Sequence, residues 1–262
     1  MPYYNVDGRD LYYEISEKEV IGSKRFPVVL IHGYLGDSQA HFGKQFKSNI
    51  LTDYNFIAPD LRGFGKSQLD QYKKWGEPHT SEQLLLDIHI LIKELKVENL
   101  IIGGYSVGAA LALEYAKKHP NTVKGIILIS PRPFVNEKGK SMPFLSKERR
   151  SSANFLMRTS SNLTWGLLKR FTKRSSSKWI KKKLKNQSLV EEFKLLDNIP
   201  SVLIYANRDS VTPQIAFDVL KDNIKNLQIM EFDGDHGILH EKPDLFNQKL
   251  KEFLDSVILS KT

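Results

Sequence analysis

Residues 99–120, NLIIGGYSVGAALALEYAKKHP, set a serine among glycines: Gly104-Tyr105-Ser106-Val107-Gly108 fits G-x-S-x-G. An apolar run ends at the glycines, and a helix-forming run begins after the serine. A tight strand-to-helix turn exposes a serine Oγ, and it needs small neighbours because a larger side chain would block approach. The same turn aims the backbone N–H of the following residue, Val107, at the reaction centre from a helix N-terminus. The chemistry prepared in this way is nucleophilic attack on a carbonyl. A serine hydroxyl is a weak nucleophile, so it needs a base, and the base needs an orienting acid. The competing reading is a glycine-rich turn whose serine merely caps the helix.

The chain holds seven histidines that could serve as the base. His236 stands in EFDGDHGILHEKP directly after an apolar run, and His240 follows four residues later. His32 closes an earlier apolar run, just before Gly33. His119 ends a helix, where an interaction with the helix dipole suffices to explain it. His41, His79 and His89 have no partner pattern. For the acid, Asp209 follows the apolar run SVLIYANRD and precedes Val211-Thr212-Pro213. Asp209 and His236 would both leave the C-terminal ends of strands, as Ser106 does, and that edge of an open parallel sheet is where sites assemble.

The elements that must position these residues alternate. LYYEI reads as a strand, with GRD before it as the turn of a hairpin. FPVVLIHG, YNFIAPDLRG, NLIIGGY, VKGIILIS, PSVLIYANRD and NLQIMEFDGDHG read as further strands. The continuous apolar runs of the first two suit burial on both faces. Between them, SEQLLLDIHILIKEL repeats Leu84, Leu85, Ile88, Leu91, Ile92 and Leu95 at helical spacing, with Ser81 as N-cap. VGAALALEYAKK, TPQIAFDVLKDNI and PDLFNQKLKEFLDSVIL are further helices. The expected fold is α/β, a doubly wound, mostly parallel sheet formed by residues 1–130 and 198–262.

Residues 131–197 have a different texture: early prolines, serine runs and KRFTKRSSSKWIKKKLK, with short helices expected because Leu163, Leu167, Leu168 and Phe171 share a helical face. This insertion carries 17 Lys or Arg against 5 Asp or Glu, more than the whole net charge of +9. Its lysines read as a solvated face, as an attraction for anionic substrates, or as a contact with anionic membrane surface. Trp165, Leu168, Phe171, Trp179 and Ile180 interleave with the charges and keep the membrane reading open. Nucleic acid is disfavoured because no binding motif accompanies the charge.

With no cysteine, a disulfide framework, a Cys-ligated zinc and a thiol nucleophile are all excluded, which fits a reducing cytoplasm. MPYYNVDGRDLYYEI lacks the basic and apolar regions of a signal peptide, and no apolar stretch approaches the ~20 residues of a membrane span. At 262 residues and 40% hydrophobic content, one large core with an insertion is expected. Oligomeric state leaves no trace in the sequence.

Four motifs in order make the chain similar to the α/β-hydrolases of the esterase, thioesterase, lactonase and C–C hydrolase group. Beside G-x-S-x-G stand LIHGYLGD, which resembles the family's oxyanion loop, APDLRGFGKS (58–67), close to the family's consensus, and DHGILHEKP. The resemblance implies a triad of Ser106, Asp209 and His236, in the family's chain order. It selects His236 over His240, because the family's histidine stands five positions before a glutamate, here Glu241. It also implies that Tyr34 N–H joins Val107 N–H in the oxyanion hole, and that residues 131–197 form a variable cap. Cap residues such as Trp165 would then contact the substrate. No metal or organic cofactor is implied. Gly108 is followed by Ala109 where many relatives have glycine, and YANRD has alanine where glycine is common, but neither touches the proton path. Ala110 stands where the menaquinone-pathway lyase of this fold keeps an arginine. The implied activity is cleavage of a small acyl substrate, a carboxylic ester, thioester or lactone, in the manner of a carboxylesterase. The alternative is a ligand receptor or signalling protein of the same fold with slow turnover or none.

Overall fold

The apolar runs between Val28 and Ala206 fold into strands covered on both faces, whereas the last run, Leu227–Phe232, is partly exposed. The computed structural model describes residues 2–16, 25–34, 36–67, 80–132, 193–212 and 214–259. Among these residues, eight strands form one sheet: β1 (Tyr3–Val6), β2 (Arg9–Ile15), β3 (Val28–Ile31), β4 (Phe56–Pro59), β5 (Leu100–Tyr105), β6 (Val123–Ile129), β7 (Ser201–Ala206) and β8 (Leu227–Phe232). Their order is β1-β2-β4-β3-β5-β6-β7-β8. β2 is antiparallel to both neighbours, and every pair from β4 to β8 is parallel. Because the chain leaves β3 toward β4 and later returns to β5 on its other side, a crevice opens at the C-terminal ends of β3 and β5.

Among the described residues the α-helices are α1 (Ser38–Phe46), α2 (Ser81–Glu94), α3 (Val107–Lys118), α4 (Gln214–Asn223), α5 (Ile238–Glu241) and α6 (Pro243–Leu259). Successive strand residues point to opposite faces. Val29, Ile31, Ile102, Leu128 and Leu203 pack with Ile88 of α2, Leu111 and Tyr115 of α3 and Phe217 of α4. Val28, Leu30, Ile101, Ile129 and Ile204 pack on the other side with Phe42 of α1 and Phe246, Leu250, Phe253 and Leu254 of α6. Burying one such side chain stabilises by roughly 1.5–3 kcal/mol, so α6 is held by its apolar stripe more than by intrinsic propensity. Phe193 and Leu196 join the first of these layers.

Three local expectations shift. The hairpin turn lies at Asp7-Gly8, not Gly8–Asp10: Val6 pairs with Arg9, and the two turn residues have φ of 52° and 77°. Two consecutive positive φ angles define the turn that favours Asp-Gly, since glycine has no Cβ to strain. The N-cap of α2 is Thr80, not Ser81: Thr80 Oγ1 accepts from Gln83 N at 3.2 Å while Gln83 Oε1 accepts from Thr80 N at 3.0 Å. This reciprocal pair satisfies two helix-end donors, and T-x-x-Q is its signature. Helix α1 has no expected counterpart, because SQAHFGKQF is mostly polar and carries a mid-helix glycine; Asp37 starts it by accepting from Ala40 N at 2.7 Å.

Residues 133–192, with Trp165 and the short helices expected there, lie outside the described residues, as does His79. Among the described residues, no helix is long and apolar enough to cross a membrane.

Candidate active site

Ser106 sits between β5 and α3, with φ 56° and ψ −112°. Its backbone is held on both sides: its N–H donates to Ile129 O at 2.8 Å, and its carbonyl accepts from Arg132 N at 3.0 Å. Its side chain makes no capping bond to α3, so the Oγ is not spent on the helix end. A non-glycine residue in this region stores strain that the surroundings must offset. The glycines make the turn possible. A Cβ on Gly108 would collide with the carbonyl oxygens of Ile31 and His32, and one on Gly104 would collide with the Gly108 backbone. The start of α3 therefore lies directly against the end of β3. There Gly33 packs so closely that an added Cβ would lie 3.3 Å from Ser106 Cβ, which brings the loop of Tyr34 beside the serine. The Tyr34 ring stands edge-on to Phe64, centroids 5.7 Å apart.

The parallel register of β7 and β8 carries Asp209 and His236 to the same edge. His236 Nδ1 donates to Asp209 Oδ2 at 2.8 Å, both side chains being buried. The other carboxylate oxygen, Oδ1, accepts from Val211 N at 2.9 Å and Thr212 N at 2.7 Å, which fixes the acid in its loop. Ser106 and His236 share one neighbourhood: the Tyr105 ring centroid is 5.1 Å from the His236 ring, and only 6% of Ser106 and 5% of His236 are exposed. Ser130, which ends β6 with φ 41°, links the loops by donating its hydroxyl to His236 O at 3.4 Å.

The remaining histidines divide by their partners. His32 is fully buried; its Nδ1 donates to Gly33 O at 2.7 Å and its Nε2 accepts from Leu61 N at 2.9 Å. Both ring nitrogens are thus engaged and burial pushes the pKa down, which makes His32 a neutral strut between the loops after β3 and β4. Much of APDLRGFGKS works the same way. Asp60 accepts from Ser38 N and Lys66 N, each at 2.8 Å, and Arg62 Nε donates to Asp87 Oδ2 at 2.8 Å in a buried ion pair. His240, on α5, turns toward His41 (centroids 5.7 Å) and does not reach Asp209's acceptor. His89 and His119 stack at 4.6 Å, and burial together with His89 lowers the His119 pKa, which weakens the helix-dipole role expected for it. Sequence reading missed His41 as a member of this neighbourhood, and no local pattern signals it.

His41 lies against Tyr105 (5.0 Å), His32 (6.1 Å) and His240 (5.7 Å). Burial, with His32, His240 and His236 nearby, pushes its pKa down to about 3. An unfolded histidine titrates near pH 6.5, so between those values the unfolded chain binds a proton that the folded chain does not. Stability from this residue is complete above pH 6.5 and falls as pH drops below it, by about 2 kcal/mol at pH 5. Urea unfolding at pH 7 and pH 5 should show this loss, and His41→Asn should remove that part of it. An unchanged pH slope in the variant would contradict the assignment.

A groove of about 700 Å³ bordered by Ile50, Asp53, Asp244, Leu245 and Gln248 includes none of the candidate site residues.

The sequence profile described as the alpha/beta hydrolase fold matches residues 27–156. The AB hydrolase superfamily protein YisY of Bacillus subtilis (strain 168) is 25% identical over 266 aligned residues, 91% of this chain and 94% of that protein. Lipase 1 of Psychrobacter immobilis is 33% identical over 109 residues, 41% of this chain but only 32% of the lipase, so the chain spans about a third of that relative. Among solved structures, the enol-lactonase from Burkholderia xenovorans LB400 superposes with a TM-score of 0.68 at 18% identity, covering 97% of this chain and 100% of that one. The mostly parallel eight-stranded sheet with its helices is the fold these neighbours share, and the chain belongs to the α/β-hydrolase superfamily.

Proposed function

We propose that this enzyme of hydrolase type cleaves a carboxylic ester, thioester or lactone through an acyl-enzyme on Ser106. The observation that carries the reading is the buried His236–Asp209 pair, 2.8 Å apart, at the sheet edge where Ser106 stands in its left-handed turn with its hydroxyl uncommitted to the helix. Ser106 Oγ bonds to the carbonyl carbon as its proton passes to His236 Nε2. Asp209 holds the Nδ1 proton on the opposite side of the ring, so Nε2 is the nitrogen left to accept, and the carboxylate offsets the imidazolium that forms. The backbone N–H groups of Val107 and Tyr34 hold the oxyanion; losing one such donor elsewhere costs ~3–4 kcal/mol. The C–O or C–S bond then breaks and His236 gives its proton to the leaving group. A water molecule, deprotonated by the same ring, attacks the acyl-enzyme and releases the acid. These steps call for no cofactor. The names of the lipase and lactonase above support an ester-type bond. Residues 131–197 are proposed as the cap that selects the substrate, with Trp165 among its contacts.

A fluorophosphonate should form a stable adduct on Ser106, located by peptide mass spectrometry, and the protein should turn over short acyl esters. Ser106→Ala should abolish both. Full turnover by that variant would overturn the proposal.

A further inference from the structure

For His236 and Asp209 to meet, two loops must keep the same register after their strands have ended. The β7–β8 ladder extends a little beyond the strands, through Asn207 N to Phe232 O at 2.9 Å and Arg208 N to Gly234 O at 3.2 Å. Beyond that point the backbone ladder stops, and the carboxylate of Asp235 takes over. Its Oδ1 accepts from Ser210 N at 2.7 Å, from Ser210 Oγ at 2.7 Å and from His236 N at 2.8 Å, while Oδ2 accepts from Ser210 Oγ at 3.0 Å. Ser210 is the residue after Asp209, so one carboxylate binds the neighbour of the acid and the backbone of the base. Asp235 does this without touching the imidazole, whose Nδ1 belongs to Asp209.

Apart from the His236–Asp209 bond itself and the exposed Arg208–Asp233 ion pair at 3.0 Å, the neighbouring side-chain ties are longer. Ser130 Oγ to His236 O and Thr212 Oγ1 to Ser130 O are both 3.4 Å, and Asp235 N to Glu241 Oε2 is 3.3 Å. Hydrogen bonds lose strength at such lengths, whereas those to an ionised acceptor at 2.7–2.8 Å are about twice as strong as neutral ones. Beside the His236–Asp209 bond, Asp235 therefore supplies the shortest set of ties between the backbones of the two loops.

We infer that Asp235 is a positioning residue for the hydrolytic site: its carboxylate clamps the Asp209 loop to the His236 loop and so sets where the His236 imidazole stands. The inference rests on the proposed roles of Ser106, Asp209 and His236. A reacting group displaced by ~1 Å costs on the order of 10²-fold in rate, so loosening this clamp lowers kcat far more than substrate affinity.

The test compares Asp235→Ala, Asp235→Asn and Ser210→Ala in the full chain, on whichever short acyl ester the parent hydrolyses. Asp235→Ala should lower kcat by about 10- to 100-fold with KM within about twofold of the parent. Asparagine keeps an oxygen at the Oδ1 position for the Ser210 and His236 N–H groups, so Asp235→Asn should recover most of that loss. Ser210→Ala removes only the hydroxyl donor and should fall between the parent and Asp235→Ala. A second readout follows the site itself: the downfield proton resonance of His236 Nδ1–H should stay sharp in the parent and in Asp235→Asn and broaden in Asp235→Ala. Parental kcat and a sharp resonance in Asp235→Ala would overturn the clamp. If Asp235→Ala does not fold, the order of the other two variants decides, and equal, parental behaviour of both overturns it. Ser106→Ala separates this result from the larger reading. Where that variant is dead and Asp235→Ala is normal, only the clamp fails. Where Ser106→Ala is active, the hydrolytic reading fails and the clamp with it.

Discussion

Asp209→Asn is expected to lower kcat by about 10⁴-fold while leaving the fold and KM nearly unchanged, the size that the same change has in a serine protease. The geometry explains why so small a change does so much. Asp209 Oδ1 accepts from Val211 N and Thr212 N, and the amide oxygen of asparagine can take over both bonds, so the loop stays in place. The NH2 group then falls where Oδ2 stood, 2.8 Å from His236 Nδ1. Two donors cannot face each other, so the imidazole must carry its proton on Nε2 instead. That tautomer has no lone pair for the Ser106 proton. Purified Asp209→Asn assayed beside the parent on one short ester, with circular dichroism to check folding, tests this. A kcat within tenfold of the parent would mean that Asp209 does not orient the base.

Arg62→Ala or Asp87→Asn should destabilise the protein by about 3–5 kcal/mol, because each leaves a buried ionic or strongly polar group without its partner. Arg62 Nε donates to Asp87 Oδ2 at 2.8 Å and Nη2 donates to Oδ1, with side-chain exposures of 8% and 2%. The pair joins α2 to the loop after β4, the loop in which Asp60 accepts from Ser38 N and Leu61 N donates to His32. Desolvating both ions costs much of what their attraction returns, so replacing them together by Met and Leu should be near neutral or even stabilising. Urea midpoints of the two single variants and the double variant form the needed cycle. A double variant as unstable as the singles combined would show that the pair is not coupled.

The sequence carried a good deal of this molecule. The runs that become β3 through β7 are continuous and apolar because both faces are covered, and that property is written locally, whereas the edge strand β8 is partly exposed. The nucleophile turn was equally legible, since Gly104 and Gly108 are required by clashes within a few residues of Ser106 or with the next strand. Asp-Gly and T-x-x-Q were also present as local signals for the first turn and the α2 cap, even though the nearby residues Gly8–Asp10 and Ser81 read more readily. Helix α1 was not legible, because its polar surface breaks the periodic pattern.

What the chain determined alone is therefore the order of strands and helices along it, and the places of Ser106 and of the acid and base proposed to serve it after later strands. These depend on side-chain period and turn chemistry within a few residues. What tertiary structure decided is which groups meet: His236 Nδ1 on Asp209 Oδ2, as the histidine motif leads one to expect, His32 as a strut, His41 as a buried neutral ring, Asp235 as the tie between two loops. Those partners lie 25 to 29 residues apart in the pairs Arg62–Asp87, Asp209–His236 and His32–Leu61. Whether two such groups touch depends on strand order and register across the whole sheet, a property that no single stretch of residues contains.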